Sequence, residues 1–122
     1  MASRRQILIV EDEPFIAWNL ADMVRDLGHE VCGIVATEGA AVKEASRCDA
    51  VLMDFRLAEG GSGLNAARKI REHSDMPIVF CTAFAGEPAL AEQMTALPRA
   101  ALIAKPVSSA QLKAALGQLL DS

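Results

Sequence analysis

The apolar residues of this chain fall into two kinds of run, and the two kinds alternate. Four runs are short and unbroken: "ILIV" (7–10), "AVLM" (50–53), "PIVFCT" (77–82) and "AALIA" (100–104), with a weaker fifth, "EVCGIVA", at 30–36. Continuous apolar stretches of this length predict strands buried on both faces, as in a parallel sheet covered by helices. Between them the spacing becomes helical. Phe15, Ile16, Leu20, Met23, Val24 and Leu27 recur along one stripe, with Pro14 suited to the first turn and Gly28 to the stop. Trp18 falls between the strictest apolar positions and is expected to be partly buried packing. The segments 38–47, 63–73, 86–97 and 109–120 predict four more helices, the last capped by Ser108 or Ser109. A strand–helix unit repeated five times specifies an α/β fold with right-handed crossovers and a doubly wound parallel sheet.

Composition narrows the class. A chain of 122 residues, 52% apolar and 23% charged, is sized for one folded domain, expected over 1–122 with no effector domain. The net charge of −4 offers no basic face for nucleic acid. No run is long enough to span a bilayer, and no signal peptide precedes the first strand, so a cytoplasmic protein away from the membrane is expected. Cys32, Cys48 and Cys81 are scattered, without a CxxC or partnering histidines, and are expected as free thiols. His29 and His73 are isolated and read as surface or helix-end residues.

In a doubly wound sheet, ligands bind outside the carboxyl ends of the strands. The residues that end these strands are unusual as a set. Glu11 and Asp12 follow the first strand, Asp54 the third, Thr82 the fourth, and Lys105 with Pro106 the fifth. Singly, each has an ordinary use as a turn residue, a solvated cation or a strand residue. Together they place three carboxylates at one edge, where mutual repulsion favours a bound cation. Hard oxygen ligands with room for water suit Mg²⁺. Lys105 adds a fixed positive charge and Thr82 a hydroxyl donor, which makes a site for a phosphoryl group. Asp54 is the candidate acceptor, forming an acyl phosphate, with Asp12 and Glu11 placed to hold metal. "GGSG" (60–63) precedes a helix but lacks the Lys-Ser/Thr of a nucleotide phosphate loop, and reads as a flexible loop.

The stretches "LIVEDEP", "VLMDFRL", "GLNAARKIRE", "CTAF" and "AKP" stand in an order and spacing that resembles the receiver domain of bacterial two-component response regulators, of the single-domain type. The resemblance implies the flavodoxin/CheY-like fold with strand order 2-1-3-4-5. It implies that Asp54 is phosphorylated by a histidine kinase or phosphotransfer protein in a phosphorelay. Asp12 would be the direct Mg²⁺ ligand, Glu11 a ligand through water, and the Arg56 carbonyl the backbone ligand. Thr82 would be the switch hydroxyl, Ala83 an amide contact to phosphate, and Lys105 the phosphate-binding lysine before a cis Pro106. The resemblance also implies that Arg56 and Phe84 would tune water access to the phosphoaspartate. The output surface would be the 86–121 face, meeting a downstream protein or a second copy in a homodimer.

Two positions depart from the usual pattern. Leu102 stands where the family has Tyr or Phe three residues before the lysine, and Glu11 stands for the commoner Asp. "PIVFCTAF" also loosely resembles the "PFxFATG" stretch of an alphaproteobacterial subgroup lacking that aromatic, with Ile78, Cys81 and Ala83 departing. Two rival functions share the pattern. One is an Mg²⁺-dependent aspartyl-phosphate phosphatase, which would need an acid where Arg56 stands. The other is a receiver-like interaction module that acts without phosphorylation. The preferred expectation is a protein that is not an enzyme beyond its own phosphoryl transfer and hydrolysis.

Overall fold

The computed structural model describes residues 4–83, 92–94 and 96–120. Five strands, β1 (Gln6–Val10), β2 (Glu30–Val35), β3 (Ala50–Met53), β4 (Ile78–Thr82) and β5 (Ala100–Ala104), pair in parallel in the order β2-β1-β3-β4-β5. The described α-helices are α1 (Pro14–Asp26), α2 (Glu38–Ala45), α3 (Gly63–Arg71) and α4 (Ser109–Leu120). The helix expected over 86–97 falls largely outside the described residues, and so does Phe84. No described helix is long and apolar enough to cross a membrane.

The unbroken apolar strands are explained by two cores. Ile7, Ile9, Leu52, Val79 and Ile103 pack on one side with Leu20 and Val24 of α1 and Leu112 and Leu116 of α4. Their neighbours Leu8, Val10, Val51, Met53, Ile78 and Phe80 pack on the other side with Ala41 of α2 and Leu64 and Ile70 of α3. Each large aliphatic side chain so enclosed contributes about 1.5–3 kcal/mol. β2 lies at the sheet's edge and is only half covered, which is why its sequence pattern is the weakest.

Helix boundaries follow local chemistry. Pro14 opens α1, and Gly28, at φ 91°, takes the left-handed conformation that lets the chain leave it. Thr37 caps α2, Ser62 caps α3, and the Ser108 hydroxyl accepts the Gln111 N–H at the start of α4.

Two expectations fail here. Trp18 is 59% exposed, not half-buried, and Phe15, placed on the apolar stripe, is 77% exposed. The buried stripe of α1 is Ala17, Leu20, Ala21 and Val24, which turns Phe15 and Trp18 outward to meet edge-to-face with ring centroids 5.6 Å apart. Cys32 and Cys48 are not free thiols but a disulfide with a Cα–Cα distance of 6.0 Å. Ile7 pairs with Val31 and Leu8 with Gly33, so Cys32 is the extra residue of a bulge in β2. The return of the chain after α2 brings Cys48 to it, a proximity that no spacing motif announces. Cys81 is the free cysteine, and burial pushes its thiol up to about 12.

Candidate functional site: an acidic cluster and a lysine at the sheet edge

Backbone bonds carry the strand ladders one residue past the strands and deliver the site residues together. The Glu11 N–H donates to Val35 (2.9 Å), the Asp54 N–H to Val10 (3.1 Å) and the Lys105 N–H to Thr82 (2.9 Å). Because β1 and β3 are neighbours, a carboxylate oxygen from each of Glu11, Asp12 and Asp54 falls within 4.8 Å of the others. Asp12 is exposed at the mouth, Asp54 is half-buried, and Glu11 is enclosed. Lys105 reaches in from the far side of the sheet. Its ammonium donates to Glu11 Oε1 at 2.6 Å and to Asp54 Oδ2 at 2.8 Å. The peptide bond between Lys105 and Pro106 is cis, as the resemblance implied.

The electrostatics follow from this packing. Burial raises the Glu11 carboxyl above its ordinary value; the bond from Lys105 opposes the shift and the charge of Asp54 adds to it. Burial alone would lower the Lys105 ammonium, but its bonds to Asp54 and Glu11 outweigh that and hold it above the ordinary lysine value. Three anionic oxygens of a hard donor type around one point match the preference of Mg²⁺ for carboxylate and water.

Of the remaining sequence candidates, Thr82, Ala83, Leu102 and Arg56 are among the described residues. Thr82 ends β4, fully buried, and Ala83 is exposed in the turn that follows. Leu102 is half-buried on β5 and packs against the core shared with α2 and α3. Arg56 is exposed, with its N–H at a long 3.5 Å from Asp54 Oδ1. A groove of about 290 Å³, lined by Ile16, Asn19, Leu20, Met23 and residues 105–107, opens next to the lysine.

The sequence reading missed what holds Asp54 in place. A Cβ at Gly63 would sit 1.8 Å from the Asp54 carbonyl oxygen, so this backbone approach admits only glycine. Nor is "GGSG" a free loop. The Gly63 N–H donates to Phe55 (2.8 Å), the Leu57 N–H donates to Gly61 (3.0 Å), and Arg56 and Ser62 form an antiparallel bridge. The glycine that ends this run of small residues carried the sequence signal, and it read equally well as flexibility.

The family model described as the response regulator receiver domain matches residues 7–117. The chain belongs to that family. It is 40% identical over 119 residues to the phyllosphere-induced regulator PhyR of Methylorubrum extorquens, covering 94% of this chain and 43% of PhyR. It is 34% identical over 110 residues to the transcriptional regulatory protein PdtaR of Mycobacterium tuberculosis, covering 88% of this chain and 53% of PdtaR. The chain thus spans about half the length of these curated relatives. Among solved structures, the solution structure of the Erythrobacter litoralis PhyR receiver domain matches with a TM-score of 0.81 and 32% identity, over 98% of this chain and 92% of that one. The receiver domain of the sensor histidine kinase PA1611 from Pseudomonas aeruginosa matches with a TM-score of 0.84 and 34% identity, over 98% of this chain and all of that one. That structure holds a magnesium ion coordinated in its active site cleft. The five-stranded order of the sheet is that of the receiver fold.

Proposed function

We propose that this receiver domain is a phosphorylation switch in a two-component relay, with Asp54 as the phosphoryl acceptor. The observation that carries the reading is the convergence of Glu11, Asp12, Asp54 and Lys105 on one point at the carboxyl edge of the sheet. In the reaction, an Asp54 carboxylate oxygen bonds to phosphorus as the bond from phosphorus to the donor's histidine nitrogen breaks. The products are an acyl phosphate on Asp54 and a free imidazole on the donor. Asp12, Asp54 and, through water, Glu11 would hold Mg²⁺ with the Arg56 carbonyl; bound there, the ion neutralises charge on the transferring group.

Lys105 supports the reading because it already bridges two of the carboxylates, from where it can turn to a phosphoryl oxygen. Thr82 ends the adjoining strand β4 and Ala83 follows it; the Thr82 hydroxyl and the Ala83 amide would meet the same group. A phosphoryl group adds close to two negative charges, enough to draw Thr82 and Lys105 inward and bias the surface beyond them. The PhyR of Bartonella quintana, 32% identical and matching over 99% of this chain and 49% of its own, is described as an anti-anti-sigma factor. By analogy, the output here is capture or release of a protein partner. The phosphodonor is a histidine-phosphorylated protein.

Acetyl phosphate with Mg²⁺ tests the reading by mass spectrometry. One phosphoryl mass on wild type and none on Asp54→Asn is the expected result. Equal labelling of both would move the acceptor elsewhere. No labelling of either would favour the phosphorylation-independent module, and turnover of small phosphate esters would favour the phosphatase.

A further inference from the structure

We propose that Glu38 is a positioning residue for this site: through Ser62 it fixes the loop that carries Asp54 and the Arg56 carbonyl. The proposal rests on the reading of the acidic cluster as a magnesium site.

Glu38 lies in the first turn of α2, the helix that follows β2 in the chain. One carboxylate oxygen accepts the Ser62 N–H at 3.0 Å, and the other accepts the Lys69 ammonium at 2.9 Å. Ser62 is not an ordinary loop residue. It pairs antiparallel with Arg56, so the segment leaving Asp54 and the segment entering α3 form a small hairpin. The hairpin is closed by the bonds from Leu57 to Gly61 and from Gly63 to Phe55. Bonds to the segment between β2 and α2 and to the first turn of α2 anchor it from outside: the Ala58 N–H donates to Ala36 at 2.9 Å, and the Ser62 N–H donates to Glu38.

The direction of the Arg56 carbonyl is set by the plane of this hairpin. Ser62 is its cross-strand partner, so a shift at Ser62 is a shift at Arg56. The bonds of Glu38 go to the Ser62 N–H and to Lys69, and it reaches the site through the backbone it holds at Ser62. Outer groups that orient metal ligands are worth about 10- to 100-fold in affinity when removed.

Mg²⁺ titration of the intact chain by calorimetry tests this, with no phosphodonor present. Glu38→Ala is expected to weaken Mg²⁺ by about tenfold. Glu38→Gln keeps an acceptor for Ser62, and Lys69→Met removes only the ion pair; both are expected to stay within about twofold of wild type. Glu38→Asp keeps the charge but withdraws it by one methylene. It is expected to bind as weakly as Glu38→Ala, and it supplies the comparison if that variant does not remain folded. Wild-type affinity in Glu38→Ala or Glu38→Asp would overturn the proposal. So would a loss in Glu38→Gln or Lys69→Met as large as in Glu38→Ala, which would mark a charge effect. Asp12→Asn separates the two readings: if it binds Mg²⁺ as wild type does, the metal site itself is misplaced, whatever Glu38 does.

Discussion

The Lys105 ammonium lies 2.6 Å from Glu11, a carboxylate only 3% exposed and 94 positions away in the chain. With Asp54 at 2.8 Å on its other side, one amine offsets the repulsion of two acids. This answers why a strand as apolar as β1 runs straight into charge: the partner of that charge arrives from β5.

Lys105→Met should therefore expose the repulsion. Removing one partner of an enclosed pair costs roughly 3 kcal/mol. Urea unfolding without Mg²⁺ is expected to show that loss, and millimolar Mg²⁺ to return part of it. The variant should gain more from the ion than wild type gains. Equal gains would mean that lysine and metal do not answer the same charge.

Gly63→Ala has no room. Its methyl would meet the Asp54 carbonyl oxygen at 1.8 Å, so Asp54 or the start of α3 must move. A loss of about 3 kcal/mol is expected, at the upper end of overpacking costs. Labelling by acetyl phosphate should fall with it. By contrast, Gly39→Ala has open space and should change stability little. Similar stabilities for the two variants would count against the close approach.

The Cys32–Cys48 disulfide closes a loop with a sequence separation of 16. Loop-closure entropy for that length gives about 3 kcal/mol. Alkylation of the denatured, unreduced protein followed by mass spectrometry should therefore label one cysteine, Cys81, and reduction should label three. The reduced protein should unfold at a clearly lower temperature. Three labelled cysteines without reductant would refute the bond.

Glu38 sets a pH dependence. Its bond from the Ser62 N–H, and then its contacts with Lys69, hold its carboxyl below the ordinary value of 4.5. A carboxyl whose pKa falls on folding adds stability in full above its unfolded value and loses it as pH drops through the folded one. The stability difference between wild type and Glu38→Ala should be steady at neutral pH and shrink as pH falls below 4.5. A difference that grows in acid would reverse the assignment.

Much of the fold was legible because local rules act over a few residues. The "AALIA" strand was read to its boundaries, and β1, β3 and β4 to within a residue. Unbroken apolar runs declare two-sided burial, and Pro14, Gly28 and Ser108 punctuate the helices by their own chemistry. The site was legible as a list, because in a doubly wound sheet every strand ends on one edge. Trp18 was misread because helical spacing within α1 tolerates two neighbouring stripes, and only the sheet decides which one is covered.

The sequence alone thus determined the alternation of strands and helices, and with it which acids, hydroxyl and amine stand at strand ends. Those depend on periodicity and on neighbours within a turn. Only the tertiary structure decided that Lys105 bonds Glu11, that Cys32 meets Cys48, that Gly63 lies against Asp54 and that Glu38 holds Ser62. Each is a contact between residues separated in the chain or a clash measured in ångströms. No local preference encodes such distances until the sheet has set its order.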